Sequence, residues 1–245
     1  FALPPVEEFE KLITPKTKGI MICNPNNPTG YLYSRGEMNK IRDLVKKYDL
    51  YLFSDEVYRE FCYTDSPYIS AFHLDGIEQN VVLIDSVSKR YSECGLRIGA
   101  LITKNKEVKH NVLKFCQARL SPPLIGQIAA EASLKAAPSY MKNNYDEYIS
   151  RRDFLIDGLN RIDGVYSPLP MGAFYTVARL PVDNADKFCA WLLSDFEYEN
   201  QTLYLAPGSG FYSVPGKGMD EVRIAYVLNK DDLSVCLKIL EEGLK

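Results

Sequence analysis

Histidine and tryptophan are nearly missing from this 245-residue chain, which carries two of the first and one of the second. Six cysteines (Cys23, Cys62, Cys94, Cys116, Cys189 and Cys236) lie far apart and form no C-x-x-C pair. So few imidazoles and no paired thiols argue against a zinc site or a disulfide framework; free, buried thiols in a reducing compartment are expected. A basic excess is missing too. The 29 Lys plus Arg against 32 Asp plus Glu leave a formal charge of −3, which points to neither nucleic acid nor an anionic membrane. No apolar run approaches the roughly 18 residues of a membrane span. The opening Phe1-Ala2-Leu3-Pro4-Pro5 has neither the basic region nor the apolar stretch of a secretory leader. Internal repeats, low-complexity tracts and long linkers are absent. What remains is 46% hydrophobic and 25% charged residues, enough to bury a core without metals or disulfides. The length suits one large domain or two smaller ones, and a soluble, cytoplasmic protein is expected.

Hydrophobic spacing predicts an α/β fold. Val6, Phe9, Leu12 and Ile13 share a helical face, with Pro15 just beyond. Gly19 to Cys23 is a short apolar run bounded by Pro, Asn and Gly, and reads as a buried strand. Ser34 and Glu37 have capping-box spacing and open a helix carrying Met38, Ile41, Leu44 and Val45. Leu50 to Phe53 and Val81 to Ile84 read as further buried strands, and Ile98 to Ile102 as a fourth. A strand–helix–strand unit argues for a mostly parallel sheet with helices on its faces. From Asn105 to Arg161 the pattern is helical, broken at Pro122-Pro123 and restarted near Pro138. Strands then return at Ala173 to Ala178 and Val222 to Val227, with helices at Ala185 to Asp195 and Leu233 to Leu244. Two domains are expected, residues 1–140 and a smaller α/β module over 141–245, with the boundary within 138–160.

Polar residues follow three of the strands, where an α/β sheet conventionally holds its ligand. Asn24-Pro25-Asn26-Asn27-Pro28-Thr29-Gly30 follows the first and Ser54-Asp55-Glu56-Val57-Tyr58 the second. Asp85-Ser86-Val87-Ser88-Lys89 follows the third, with Gly95, Arg97 and Gly99 after it. Each has an ordinary explanation: Asn-Pro and Thr-Gly form turns, Asp55 could cap a helix, and Lys89 could be solvated. Together they fit better as one site.

That combination resembles the fold-type I, pyridoxal-phosphate-dependent aminotransferases of classes I and II. The carriers are the N-P-x-N-P-T-G loop, the D-E-x-Y turn, S-x-S-K, and a G-x-R-x-G whose arginine follows the lysine by eight. Gly172-Ala173-Phe174-Tyr175, Pro207-Gly208 and Arg223-Ile224-Ala225 match later landmarks in order. The stretch from Ser88 to Thr103 looks most like bacterial aspartate aminotransferases. The resemblance implies part of the large cofactor-binding domain plus the small C-terminal domain, and pyridoxal 5'-phosphate as cofactor. It also implies amino-acid and 2-oxo-acid substrates, aspartate and 2-oxoglutarate, and a homodimeric parent. It assigns Lys89 the Schiff base with the cofactor aldehyde, and the proton transfer that follows. Asp55 would face the pyridine nitrogen, and Asn27 and Tyr58 the ring 3-oxygen. Ser86, Ser88 and Arg97 would hold the phosphate, and Arg223 would clamp the substrate carboxylate with its planar fork.

Other readings stay open. A β-eliminating C–S lyase would use the same cofactor and α-carbanion, and a non-catalytic binding module could retain the fold. Ser86 to Lys89 also matches S-x-x-K of penicillin-binding enzymes, but S-D-N and K-T-G do not occur. Gly208-Ser209-Gly210 begins a dinucleotide fingerprint, but Ser213 stands where its third glycine belongs. His73 and His110 are expected to be structural, and of the 17 tyrosines only Tyr58 takes a role from its position. Lys89 comes early for the family, so a preceding portion of roughly 150 residues is expected to be missing. That portion normally carries the ring that stacks on the cofactor, a phosphate loop and a tyrosine reaching the neighbouring subunit. The chain is therefore expected to be an inactive fragment.

Overall fold

The computed structural model describes residues 3–65 and 67–245; the leader reading rests partly on Phe1 and Ala2, which lie outside them. The chain divides into two compact units. One comprises residues up to 26 together with 31–142, the other residues 27–30 together with 143–245.

In the first unit, helix α1 (Val6–Lys11) precedes strand β1 (Gly19–Cys23), helix α2 (Arg35–Tyr48) and strand β2 (Tyr51–Asp55). Strand β3 (Val81–Ser86), the single-turn helix α3 (Val87–Arg90) and strand β4 (Gly99–Ile102) follow. The sheet order is β1-β2-β3-β4, the first two pairings parallel and the third antiparallel. Helix α2 forms where its cap predicts: Ser34 Oγ accepts from Glu37 N at 3.3 Å, and Glu37 Oε2 accepts from Ser34 N at 2.7 Å. Its apolar stripe of Met38, Ile41, Leu44 and Val45 is buried. Met38, Ile41 and Val45 pack with Ile22, Leu52 and Leu83 from one face of the sheet.

Side chains alternate across a strand, so the other face carries Met21, Phe53 and Val82. Here the expectation of fully buried strands fails: Met21 is 68% exposed and Phe53 36%. All four residues of β4 are exposed. The reason is coverage, since α2 and the 69–77 segment pack on one face only. Leu12 is likewise exposed, because α1 ends at Lys11 and Leu12 is already its C-cap. Helices α4 (Lys106–Arg119) and α5 (Leu124–Ser133) flank the Pro122-Pro123 break, and α6 (Pro138–Leu159) starts on Pro138.

In the second unit, β5 (Tyr175–Arg179), β6 (Ala206–Pro207) and β7 (Glu221–Ala225) form an antiparallel sheet of order β5-β7-β6. Helices α7 (Ala185–Ser194) and α8 (Lys230–Gly243) accompany it. Leu155, Ile156 and Leu159 of α6, Leu192 of α7 and Leu240 of α8 are buried. Strand β6 was not anticipated; two residues are too few to show a period. No helix among the described residues is long and apolar enough to cross a membrane.

The reciprocal cap sets where α2 begins. Ser34→Ala is expected to lower stability by about 1 kcal/mol, read as a lower urea midpoint at unchanged slope. Its effect should not add to that of Glu37→Ala, because both remove the same box. Additive losses would show that the two bonds act separately.

Candidate active site

Parallel strands align their carboxyl ends, and β2 and β3 do so here with Asp55 paired to Ile84. Asp55 therefore closes its strand beside the segment that turns into α3. Its Oδ1 accepts from Val57 N at 3.2 Å, tying down the turn that carries Tyr58. Tyr58 is 4% exposed. Ser86 ends β3 and caps α3, accepting from Ser88 N at 3.0 Å. Its Oγ lies 2.8 Å from Ser88 Oγ and 2.9 Å from Ile98 O. Lys89 sits on that single turn, with Nζ 5.9 Å from the centroid of the Tyr58 ring.

Burial raises the Asp55 carboxyl above its ordinary 3.8, opposed by the Val57 bond. The Asp85 charge raises it further and the Lys89 charge lowers it. A partly desolvated carboxylate thus shares its field with an amine that faces an aromatic ring. The structure brings Asp55, Tyr58 and Lys89 together, with Ser86 and Ser88 on the same turn. Arg97 behaves differently. Its backbone is in the left-handed region at φ 59°, its side chain is exposed, and Nη1 donates to Cys94 O at 2.9 Å.

The second unit holds Asn27 and Arg223. Gly30 O accepts from Met171 N at 3.0 Å and Gly172 N at 2.9 Å, which fixes the short 27–30 segment. Gly30 has φ +68°, and a Cβ there would fall 2.5 Å from Pro170 Cβ, so both conformation and space demand glycine. The Asn24–Pro25 and Asn27–Pro28 peptide bonds are cis. Arg223, central in β7, pairs with Val177 of β5 and Ala206 of β6. Its Nη1 donates to Asn27 Oδ1 at 3.2 Å. Its guanidinium carbon lies 4.9 Å from the Tyr175 ring centroid and 5.3 Å from that of Phe211. These two rings escaped sequence reasoning, which treated Tyr175 as part of a landmark and passed over Phe211.

Sequence reasoning also missed Glu56, which is wholly buried behind Asp55. Its Oε1 accepts from Ser54 Oγ and Ser70 Oγ at 3.0 Å each and from Ala71 N at 2.8 Å. The signal was the D-E pair itself, where the second acid has a folding role of its own. His73 is structural, its Nδ1 accepting from Ser70 N at 3.3 Å, and His110 is exposed on α4. No cysteine is in a disulfide among the described residues, but only Cys189 is buried: Cys23, Cys62 and Cys236 are half-buried, and Cys94 and Cys116 are exposed. Cys94 opens a short turn and Cys116 lies on the open side of α4. Burial pushes the Cys62 thiol up to about 12 and that of Cys189 to about 11, which makes both poor nucleophiles. No cluster able to hold a metal ion occurs among the described residues.

This donor set fits pyridoxal phosphate: an amine, a desolvated carboxylate for a ring nitrogen, a phenol, and two hydroxyls at a capped turn for a phosphate. The chain is similar to several known proteins. Aspartate aminotransferase of Thermotoga maritima is 35% identical over 244 residues, covering 98% of this chain and 60% of that protein. A putative aminotransferase of Bacillus subtilis, YugH, is 31% identical over 233 residues, covering 94% and 58%. Among solved structures, the aromatic aminotransferase of Pyrococcus horikoshii matches with a TM-score of 0.85 at 29% identity, over 99% of this chain and 64% of that one. The Thermotoga maritima aspartate aminotransferase gives 0.84 at 32% identity, over 98% and 60%. The chain spans about 60% of the length of the curated relatives it matches. Residues 5–240 match the sequence profile of aminotransferases of class I and II, and the chain belongs to that family.

Proposed function

We propose that the whole protein is a pyridoxal-phosphate-dependent aminotransferase that passes the amino group of an L-amino acid, aspartate, to 2-oxoglutarate. It would act as a cytoplasmic homodimer. Residues 1–140 would belong to its large cofactor-binding domain and 141–245 to its small domain. The observation that carries this reading is the Lys89 amine poised 5.9 Å over the Tyr58 ring within the field of Asp55. The choice of aspartate is supported by the relative from Thermotoga maritima, an aspartate aminotransferase.

When bound, pyridoxal phosphate supplies an aldehyde that captures amines and a ring that accepts the electrons released at the substrate α-carbon. Lys89 would hold the cofactor and afterwards move the proton from that α-carbon. Asp55 would accept the ring N–H. Burial makes its carboxylate more basic than one in water, which strengthens that hydrogen bond and keeps the nitrogen protonated. Tyr58 and Asn27 would donate to the ring oxygen, while Ser86, Ser88 and Arg97 would hold the phosphate. Arg223 would take the substrate carboxylate. Asn27 engages one end of its fork and the Tyr175 and Phe211 rings flank its plane, so the free donors are already aimed. With about 60% of these relatives' length, the 245 residues alone are proposed to hold the cofactor weakly and not to turn over.

Borohydride reduction of the whole protein with its cofactor, followed by peptide mapping, should place the pyridoxyl label on Lys89. Lys89→Ala should lose the label and nearly all turnover. A label on any other lysine overturns the assignment. Arg223→Lys should raise KM for every amino-acid substrate, because a single ammonium cannot reproduce the fork. Equal KM values in the two proteins would remove Arg223 from the carboxylate site.

Asp55 gives a pH prediction that needs no cofactor. Its pKa is raised in the folded state above 3.8. The neutral form is therefore favoured by folding, and that advantage is complete below 3.8 and lost as pH rises through the folded value. The stability of wild type relative to Asp55→Asn should decline from pH 4 towards neutrality and then level off, as read from urea midpoints. A rise over that interval would show that the charged carboxylate is favoured by folding instead.

A further inference from the structure

A helix of one turn cannot hold itself, since nucleation fixes several residues for a single hydrogen bond. Helix α3 is four residues long, yet it carries the residue on which the proposed chemistry depends. Its start is fixed by the Ser86 cap. Its end is fixed by Arg90, whose Nη2 donates to Asp85 Oδ1 at 3.2 Å and Oδ2 at 3.1 Å. Arg90 Nε stands 3.1 Å from Glu60 Oε1, without the alignment of a hydrogen bond. Asp85 Oδ1 also accepts from Ser86 N at 2.8 Å, so the same carboxylate grips both ends of the turn.

A second arginine completes the arrangement from the opposite side. Arg59 Nη2 lies 2.9 Å from Asp85 Oδ2, and Arg59 Nε lies 3.5 Å from Glu60 Oε1. Arg59 and Glu60 belong to the turn that follows Asp55, closed by Arg59 N donating to Glu56 O at 3.1 Å and Phe61 N to Tyr58 O at 2.8 Å. Four charges therefore alternate in sign around a ring, two from the Tyr58 turn, one from the end of β3 and one from the Lys89 turn. Asp85 and Arg90 are each only 12% exposed, so water screens this pair far less than a surface bridge. Removing one member leaves a shielded charge short of partners, which the neighbouring turn must move to relieve.

We infer that Arg90 is a positioning residue, closing with Asp85, Arg59 and Glu60 a four-charge clamp that locks the Lys89 turn against the Asp55–Tyr58 turn. This rests on the reading of Lys89 as the cofactor-binding amine. Arg90 follows Lys89 directly, so the fork that fixes Arg90 also fixes the origin of the lysine stem. The guanidinium is required because one planar group serves both Asp85 oxygens and faces Glu60.

Two measurements separate the clamp from the reading beneath it. The first is amide hydrogen exchange on the chain without cofactor. Arg90→Gln should speed exchange at residues 87–91 by about tenfold or more, while β1 and α2 amides stay as in wild type. Arg90→Lys should not restore protection; full rescue by lysine overturns the forked clamp, and so does unchanged exchange in Arg90→Gln. The second is labelling with excess pyridoxal phosphate and cyanoborohydride, mapped by peptide. Wild type should label Lys89 above the other lysines, and Arg90→Gln should lose that preference at an unchanged melting temperature. Equal labelling in both overturns the positioning role. A wild-type label elsewhere overturns the reading of Lys89, with the clamp then judged on exchange alone. Should Arg90→Gln fail to fold, Arg59→Lys weakens the same ring from the other turn and is expected to raise exchange at 87–91 by a smaller factor; no change there overturns the clamp.

Discussion

The parallel register of β2 on β3 decides which side chains meet at the carboxyl edge of the first unit's sheet. With Asp55 opposite Ile84, the turn after β2 and the turn after β3 leave the sheet side by side and on one level. A shift of one residue would send the Asp55 side chain to the opposite face. That face is held by α2, whose buried stripe packs on Ile22, Leu52 and Leu83. The core thus fixes the register, and the register delivers the carboxylate to the same edge as the lysine turn. Glu56 secures the delivery: its buried oxygen gathers Ser54, Ser70 and the Ala71 amide directly beneath Asp55.

Two adjacent acids therefore have separate roles. One oxygen of Glu56 gathers three hydrogen bonds from the fold, whereas the Asp55 carboxylate accepts one, from the Val57 amide, among the described residues. Desolvation outweighs the Val57 bond and the Lys89 charge, and that lifts its pKa. The same logic separates the arginines. Arg90 is held by Nη2 bonds to both Asp85 oxygens, with Glu60 facing its Nε, while Arg97 is exposed and bonded to one carbonyl. A fixed cation suits a structural anchor, and an adaptable one suits an anion that arrives later.

Features coded within one turn were legible from sequence. The Ser34 and Glu37 spacing and Pro138 at the start of α6 act on neighbouring backbone groups, whereas the Asn229 cap was passed over and α8 begins at Lys230, ahead of the expected Leu233. Which strand face would be covered was not legible. Met21 and Phe53 carry the same apolar signature as Ile22 and Leu52, and only the position of α2 tells the pairs apart. The candidate site divides along the same line. Lys89, Asp55 and Tyr58 stand in local motifs and were readable, but the rings around Arg223 come from segments 48 and 12 residues away in sequence, and only β-register and loop folding unite them. The Asp85 clamp escaped for a related reason: its members lie in two turns, and charges near a motif look solvated until burial is known.

The first motif shows how a contiguous string can serve two bodies. Asn24 is wholly buried, its Oδ1 accepting from Tyr33 N at 3.1 Å and its backbone N donating to Asp55 O at 2.9 Å. Asn26 N donates to Tyr31 O at 2.8 Å, which pinches the chain closed on either side of residues 27–30. Those four residues then pack as part of the second unit. The pinch makes the excursion short, so few conformations remain to be lost when Gly30 takes its bonds from Met171 and Gly172. Asn27 is thereby brought to Arg223 by backbone bonds to either side, and its Oδ1 then accepts from the Arg223 fork. The string therefore needs glycine at one end for its conformation and Asn24 at the other, whose amide serves the backbone of Tyr33 and Ile69. The Arg223 fork of β7 thus receives its Asn27 partner from a segment 196 residues earlier in the chain.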